Sequence, residues 1–226
     1  MKVLLICDDY WHPGQTAIDG IEPLKQQGFE FDVMKNADNL YFETLKKYPV
    51  ILMCKSDEIP QTGRQPWRTE AAQKTFAGYV ENGGGLTAVH SALVNSETPG
   101  ELDQLIGCRF LGHPDSCPVT VQCIKPHPVT EDVEQFCETD EHYRIVITQS
   151  DADILAASYS PPQGKDDKHQ EDQFFNTHAA IYPACYVRTH GKGRVCVISS
   201  GHFSAVWLNL QFQRLLSNAI KWTSGG

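Results

Sequence analysis

The segment GGGLTAVHSALVNS, residues 83–96, carries the pattern that decides the fold. Gly83–Gly85 end a helical pattern and lead into a short apolar run, Leu86–Val89, which is typical of a buried strand. The strand stops abruptly at His90 and Ser91, where a loop or turn is expected. Because the glycines precede the strand instead of joining it to a helix, they do not form a phosphate-binding motif, and we expect no nucleotide cofactor.

Strand-like and helix-like patterns alternate on the N-terminal side of this segment. The predicted strands cover residues 2–8, 29–35 and 49–55, and the predicted helices cover 17–27, 40–46 and 67–82. This order predicts an α/β fold with a doubly wound, mostly parallel sheet and helices on both faces.

The C-terminal side is less regular until its last fifty residues. A helix is predicted over 101–105, a strand over 118–124 and an exposed loop over 160–176. Two strands, 184–189 and 194–199, are joined by HGKG in a predicted hairpin, and an amphipathic helix follows over 209–222. With no internal repeat and no linker, residues 1–226 are expected to form a single domain.

Composition narrows the function classes. The net charge of −9 and the absence of basic runs argue against nucleic acid and membrane surfaces as partners. The first apolar run, Val3–Cys7, is too short for a signal peptide or a membrane span, so we expect a cytoplasmic protein. The eight cysteines form no CxxC pair and are expected to be reduced structural thiols.

Polar side chains follow the predicted strands, at the edge where open parallel sheets bind ligands. The residues concerned are Asp8, Asp9 and His12 after the first strand, Ser56, Asp57 and Glu58 after the third, His90 after the fourth, and His202 after the last. Two histidines at separate strand ends favour a site, since imidazole is the usual acid–base and metal-binding group near neutral pH. Asp8 and Asp57 have an alternative role as helix N-caps.

The other histidines are weaker candidates. His113 and His127 each precede a proline in a predicted loop, where they can still contribute to a site. His142, His169 and His190 lie in polar surroundings and are expected on the surface.

Several segments, in order, resemble the ThuA-like (trehalose utilisation) family. They are ENGGGLTAVHSA (81–92), FLGHP (110–114), KPHPVTEDV (125–133), TDEHYRI (139–145) and THGKGRVCVISSGHFSAVW (189–207) with the helix after it. The resemblance runs from the first strand to Trp222. It implies a flavodoxin-like fold of the class I glutamine amidotransferase type.

The same resemblance argues against glutamine hydrolysis. The amidotransferases carry a cysteine nucleophile at the strand–turn–helix elbow, where this sequence has His90. The His-x-Glu pair of those enzymes is also missing, because Phe203 and Ser204 follow His202.

The resemblance instead implies a carbohydrate-acting protein of disaccharide or keto-sugar utilisation, for which two chemistries remain open. His90, His113 and His202 are candidate ligands of a divalent metal such as zinc. Alternatively, His90 and His202 are acid and base, with Asp140 or Glu141 orienting one of them, a role that rests on the resemblance. Isomerase, lyase and hydrolase reactions all fit.

The predicted substrate is a small-molecule carbohydrate. Trp11 is the candidate for stacking on a sugar ring, and Asp8, His12, Asp57 and Ser91 are candidates for binding its hydroxyls. Ser91 lacks the G-x-S-x-G surroundings of a nucleophile. A non-catalytic sugar-binding or assembly protein is the alternative, and fold analogy favours a homodimer or higher homo-oligomer.

Overall fold

The computed structural model describes residues 1–37, 40–57, 67–96, 99–161 and 180–225. Most of the predicted loop 160–176 lies outside the described residues, and so do Glu58 and His169.

A nine-stranded sheet runs through the described structure in the order β2-β1-β3-β4-β11-β10-β9-β6-β7, and β5 and β8 form a separate pair. The strands are β1 Lys2–Cys7, β2 Glu30–Met34, β3 Val50–Cys54, β4 Gly85–Val89, β5 Cys108–Gly112, β6 Cys117–Cys123, β7 Phe136–Asp140, β8 Arg144–Ile147, β9 Asp153–Ser160, β10 Ala180–His190 and β11 Gly193–Ile198. The helices are α1 Gly14–Lys25, α2 Phe42–Leu45, α3 Glu70–Glu81, α4 Glu101–Ile106, α5 Ser204–Leu208 and α6 Leu210–Thr223.

One half of the large sheet is parallel. It contains β2, β1, β3, β4 and β11, which pair side by side in the same direction. This strand order is that of a flavodoxin-like, doubly wound sheet, so the predicted fold class is confirmed. The carboxyl ends of these five strands therefore meet at one edge.

The other half is antiparallel and contains β10, β9, β6 and β7. The predicted hairpin of β10 and β11 joins the two halves. Strands β5, β7, β8 and β9 were not predicted. Three of them are only four or five residues long, and β9 reads DILAASYS, where small polar residues replace a clear apolar alternation.

Two apolar clusters cover the two faces of the sheet. Along β1, Val3 and Leu5 pack on the side of α1 and α6, whereas Leu4 and Ile6 pack on the side of α3. Burial on both faces explains why β1, β3, β4 and β11 read as mostly apolar runs, whereas the edge strand β2 alternates and is only partly buried. No helix among the described residues is both long and apolar enough to cross a membrane.

Candidate functional site

Three histidines and one glutamate converge at the carboxyl edge of the parallel strands. His12 follows β1, His90 follows β4, His202 follows β11 and Glu141 follows β7. One ligand atom from each of these residues lies within 4.8 Å of the others, and we call this group the four-residue cluster.

The elbow after β4 aims His90 into the cluster. His90 has a left-handed backbone with φ of 45°, which is uncommon outside glycine, and it opens a 3-10 turn over His90–Leu93. Its ring is buried, and Nδ1 lies 2.9 Å from the carbonyl oxygen of Ser199. Because a carbonyl only accepts hydrogen bonds, Nδ1 carries the proton and Nε2 presents a lone pair to the cluster.

A buried carboxylate orients His12. Asp9 Oδ1 accepts from His12 Nδ1 at 2.7 Å, and its Oδ2 accepts from the backbone N–H of Ser56 at 2.7 Å. Burial acts to raise the pKa of Asp9, but the hydrogen bond and charge of His12 and the backbone donors outweigh it, so the pKa is lowered. With Nδ1 donating to Asp9, Nε2 of His12 presents its lone pair.

Asp140 holds the backbone that carries His202. Its two carboxylate oxygens accept from the N–H groups of Gly201, at 2.9 Å, and His202, at 3.0 Å. Burial raises the pKa of Asp140 despite these donors and the nearby charge of His90. Asp140 therefore positions His202 through the main chain, a contact that differs from the predicted orientation of an imidazole.

Three imidazoles approach the same carboxylate oxygen of Glu141. Its Oε2 lies 3.0 Å from His202 Nδ1, 3.3 Å from His90 Nε2 and 3.5 Å from His113 Nε2. Burial acts to raise the pKa of Glu141, but the close approach of His202 and His90 and the charge of His113 hold it well below its usual range.

The same contacts affect the imidazoles differently. Burial lowers the pKa of His90, and Glu141 only partly compensates. Burial also acts to lower the pKa of His202, but there Glu141 outweighs it and the pKa is raised.

Two imidazole nitrogens of the cluster lack a well-aligned hydrogen bond. Among the described residues, the buried atoms His90 Nε2 and His202 Nδ1 approach Glu141 Oε2 without hydrogen-bond geometry. Buried polar atoms without a good hydrogen bond are rare in folded proteins, because burial removes their hydrogen bonds to water and costs free energy when nothing replaces them. Two such nitrogens beside a carboxylate oxygen fit a shared cation.

Tyr143 closes one side of the cluster, and the sequence patterns did not single it out. Its buried ring stacks on the ring of His90, with 3.8 Å between the ring centres and 29° between the ring planes. It also stacks on the ring of His113, with 5.6 Å between the centres and 19° between the planes. Its hydroxyl lies 3.5 Å from His12 Nε2. Burial and the charges of Glu141, Asp9 and Asp140 raise the pKa of Tyr143 well above its ordinary value.

Of the predicted metal ligands, the structure brings His90 and His202 together and puts His113 outside the four-residue cluster. His113 contacts Glu141 from the solvent side, with its side chain 35% exposed and Nδ1 donating to the carbonyl of Pro114 at 2.9 Å. His12, predicted as a substrate ligand, and Glu141, predicted as a catalytic residue, occupy the cluster beside His90 and His202.

The predicted substrate ligands lie in different surroundings. Asp8 is not the N-cap of α1, a position that Pro13 occupies, but it accepts from the N–H of Gly14, the first residue of that helix, at 2.7 Å. Asp57 accepts from the N–H of Arg68 at 2.7 Å. Ser91 is buried and lines a small cavity beside His12 and His202. Trp11 is 60% exposed on the loop that carries His12.

His142 was expected on the surface, and this prediction is wrong. Its ring is buried, with Nδ1 2.9 Å from Ser160 Oγ and Nε2 3.0 Å from Ser158 Oγ. Burial, with a smaller contribution from the Arg144 charge, lowers the pKa of His142 to about 4. Its polar neighbours in sequence hid this position, because the two serines come from β9, a strand that was not predicted.

The sequence profile of the trehalose utilisation family, ThuA, matches residues 2–223. The chain belongs to the ThuA family. Its fold is similar to that of a ThuA-like protein from Bacteroides uniformis, with 21% identity, a TM-score of 0.76 and coverage of 99% of this chain and 91% of that one. A ThuA-like protein from Parabacteroides merdae matches with 20% identity, a TM-score of 0.74 and coverage of 99% and 90%.

A more distant structure is the carbohydrate deacetylase Agd3, with 12% identity, a TM-score of 0.61 and coverage of 98% of this ThuA-family chain and 32% of Agd3. At these identities the three structures establish a shared fold. No curated protein sequence matches this ThuA-family chain.

Proposed function

We propose that this ThuA-family protein binds a divalent metal ion through His12, His90, Glu141 and His202 and is an enzyme that acts on a carbohydrate. The observation that carries the proposal is the convergence of two buried nitrogens, His90 Nε2 and His202 Nδ1, on Glu141 Oε2 without a well-aligned hydrogen bond.

The donor set fits a transition metal. Three imidazole nitrogens and one carboxylate oxygen suit zinc and, with further open positions, manganese, iron or nickel. A bound ion of this kind supplies a Lewis acid that polarises a carbonyl or hydroxyl oxygen. The protein's own contribution is orientation: Asp9 and the carbonyl of Ser199 hold the protons on the far nitrogens of His12 and His90.

Family membership and exposed aromatic rings support a carbohydrate as the substrate. The family is linked to trehalose utilisation. Trp11 lies one residue before His12, and the partly exposed ring of Phe203 contacts that of His202 at 4.5 Å. Aromatic faces next to a polar centre suit the apolar side of a sugar ring. Proton transfer beside the carbonyl of a keto sugar, leading to isomerisation or elimination, is the reaction that we propose to test first.

The decisive experiment is elemental analysis of protein purified without an affinity tag. We expect near-stoichiometric zinc, manganese or nickel in the wild type and none in a His90→Ala, His202→Ala double variant. The matched control is His127→Ala, His190→Ala, which removes two imidazoles that lie outside the four-residue cluster and should leave the metal content unchanged.

A wild-type protein that contains no metal and takes up none on dialysis against each ion contradicts the metal assignment. Turnover of keto sugars then separates the two remaining functions. An acid–base enzyme loses turnover with His90→Ala, whereas a sugar-binding protein alters no sugar although ligands raise its Tm.

A further inference from the structure

Tyr143 is held rigidly beside the four-residue cluster by three aromatic rings. His90 and His113 stack on it, and Phe110 packs with its ring centre 4.5 Å away. A ring fixed in this way has little rotational freedom, so the direction of its hydroxyl is set by the fold.

Packing alone does not explain the hydroxyl. A phenylalanine would fill the same slot, and a buried tyrosine hydroxyl usually has a hydrogen-bond partner. Within the described part of the chain, the polar contact recorded for this hydroxyl is His12 Nε2 at 3.5 Å, the outer limit of a hydrogen bond. That nitrogen is also the one that Asp9 leaves available for a metal.

The backbone between the two sheets explains this placement. Strand β7 of the large sheet ends at Asp140, and β8 of the two-stranded sheet begins at Arg144. Residues 141–143 therefore cross from one sheet to the other. The contacts alternate along this segment: Glu141 and Tyr143 face the imidazoles, whereas His142 faces the serines of β9.

We propose that the Tyr143 hydroxyl donates a hydrogen bond to a metal-bound ligand oxygen that carries negative charge, such as the oxygen of a sugar enediolate or alkoxide. This inference rests on the proposed metal site. The charge pattern supports it, because Asp9, Asp140 and Glu141 already surround the centre. An incoming oxyanion is repelled by these carboxylates, and a neutral donor stabilises it there without adding a cation.

The test uses the full chain loaded with Co²⁺ and azide as the anionic probe. Metal binding and azide binding are both followed from the visible absorption of cobalt. The variant is Tyr143→Phe, which keeps the ring and removes one oxygen atom. Its matched control is Tyr79→Phe, a buried tyrosine whose hydroxyl donates to the carbonyl of Tyr48 near the opposite end of β4.

We expect all three proteins to bind Co²⁺ with the same affinity, and Tyr143→Phe to bind azide about tenfold more weakly than the other two, the effect of one hydrogen bond to a charged group. Equal azide affinity in wild type and Tyr143→Phe overturns the inference and leaves the metal site standing. Loss of Co²⁺ in Tyr143→Phe also overturns it, because the residue would then be needed for metal binding itself. A wild type that binds no Co²⁺ overturns both proposals.

Discussion

The parallel and antiparallel halves of the large sheet contribute different groups to the four-residue cluster. The parallel half contributes imidazoles, His12, His90 and His202, each within a few residues of a strand end. The antiparallel half contributes Glu141, which reaches the cluster from the crossing between the two sheets.

The two contributions are also held differently. His12 and His90 each have their far nitrogen bound to a fixed acceptor, Asp9 and the carbonyl of Ser199. Glu141 meets the imidazoles themselves, so its charge is balanced by the groups that it faces. The parallel half therefore provides rigidly held nitrogen donors, and the antiparallel half provides the negative charge of the proposed cation site.

The largest effect is expected from removing the charge of Glu141. In Glu141→Gln the cation loses its only anionic ligand among the four, so we expect metal affinity to fall by more than the roughly 100-fold upper range of an outer-sphere change. Isothermal titration with Zn²⁺ measures it. Glu138→Gln, three residues earlier on β7, should bind Zn²⁺ like the wild type, and equal affinity in Glu141→Gln would refute the role of its charge.

The antiparallel half also contains a buried imidazole, His142, whose effect should appear in the pH dependence of stability. Its folded pKa of about 4 lies below the unfolded value of about 6.5. The unfolded chain therefore binds the extra proton first. The contribution of neutral His142 to the free energy of unfolding is therefore complete above pH 6.5. It is lost as the pH falls towards 4, by up to about 3 kcal/mol.

Urea unfolding at pH 7, 6, 5 and 4 tests this expectation. His142→Asn removes the titrating group and should lose less stability between pH 6.5 and 4 than the wild type does. His190→Asn, which removes an imidazole from the half-buried end of β10, is the matched control. Parallel slopes for His142→Asn and wild type would show that His142 is not buried in its neutral form.

In the parallel half, Asp9→Asn tests whether a rigid donor matters. The amide no longer holds a negative charge against His12 Nδ1, so we expect Zn²⁺ affinity to fall by about 10–100-fold. Asp32→Asn, a carboxylate of β2 that pairs with Lys2, serves as the control and should have no effect. A change for Asp9→Asn as large as that for Glu141→Gln would remove the distinction between the two halves.

The smallest effect on stability is expected at Trp11. Because 60% of its surface is exposed, Trp11→Ala should change the free energy of unfolding by less than about 0.5 kcal/mol. Trp207→Ala, which empties a buried site, should cost about 3–5 kcal/mol in the same denaturant measurement. If Trp11 contributes to sugar binding, its variant loses ligand-induced stabilisation at unchanged metal content; a stability loss like that of Trp207 would mean that it is a packing residue.

Local patterns predicted the parallel half well and the antiparallel half poorly. The strand predicted over 49–55 is Val50–Cys54, and the helix predicted over 67–82 is Glu70–Glu81. Helix α1 begins at Gly14, three residues before the predicted start, where Asp8 accepts from its first N–H. By contrast, β8 has four residues and β9 has serines on its buried face, so neither has a strong periodic signal.

Local sequence patterns predicted the strands and helices of the parallel half and, because ligands bind at the carboxyl ends of parallel strands, the placement of His12, His90 and His202 at one edge, whereas the strand order came from the structure. Only the tertiary structure decided that Glu141 and Tyr143 join them, that His113 stays on the rim and that His142 is buried. The physical reason is the range of the contacts. A strand end is a local feature of the chain, whereas the segment 141–143 meets His90 across about fifty residues of sequence, through strand pairings that leave no periodic pattern.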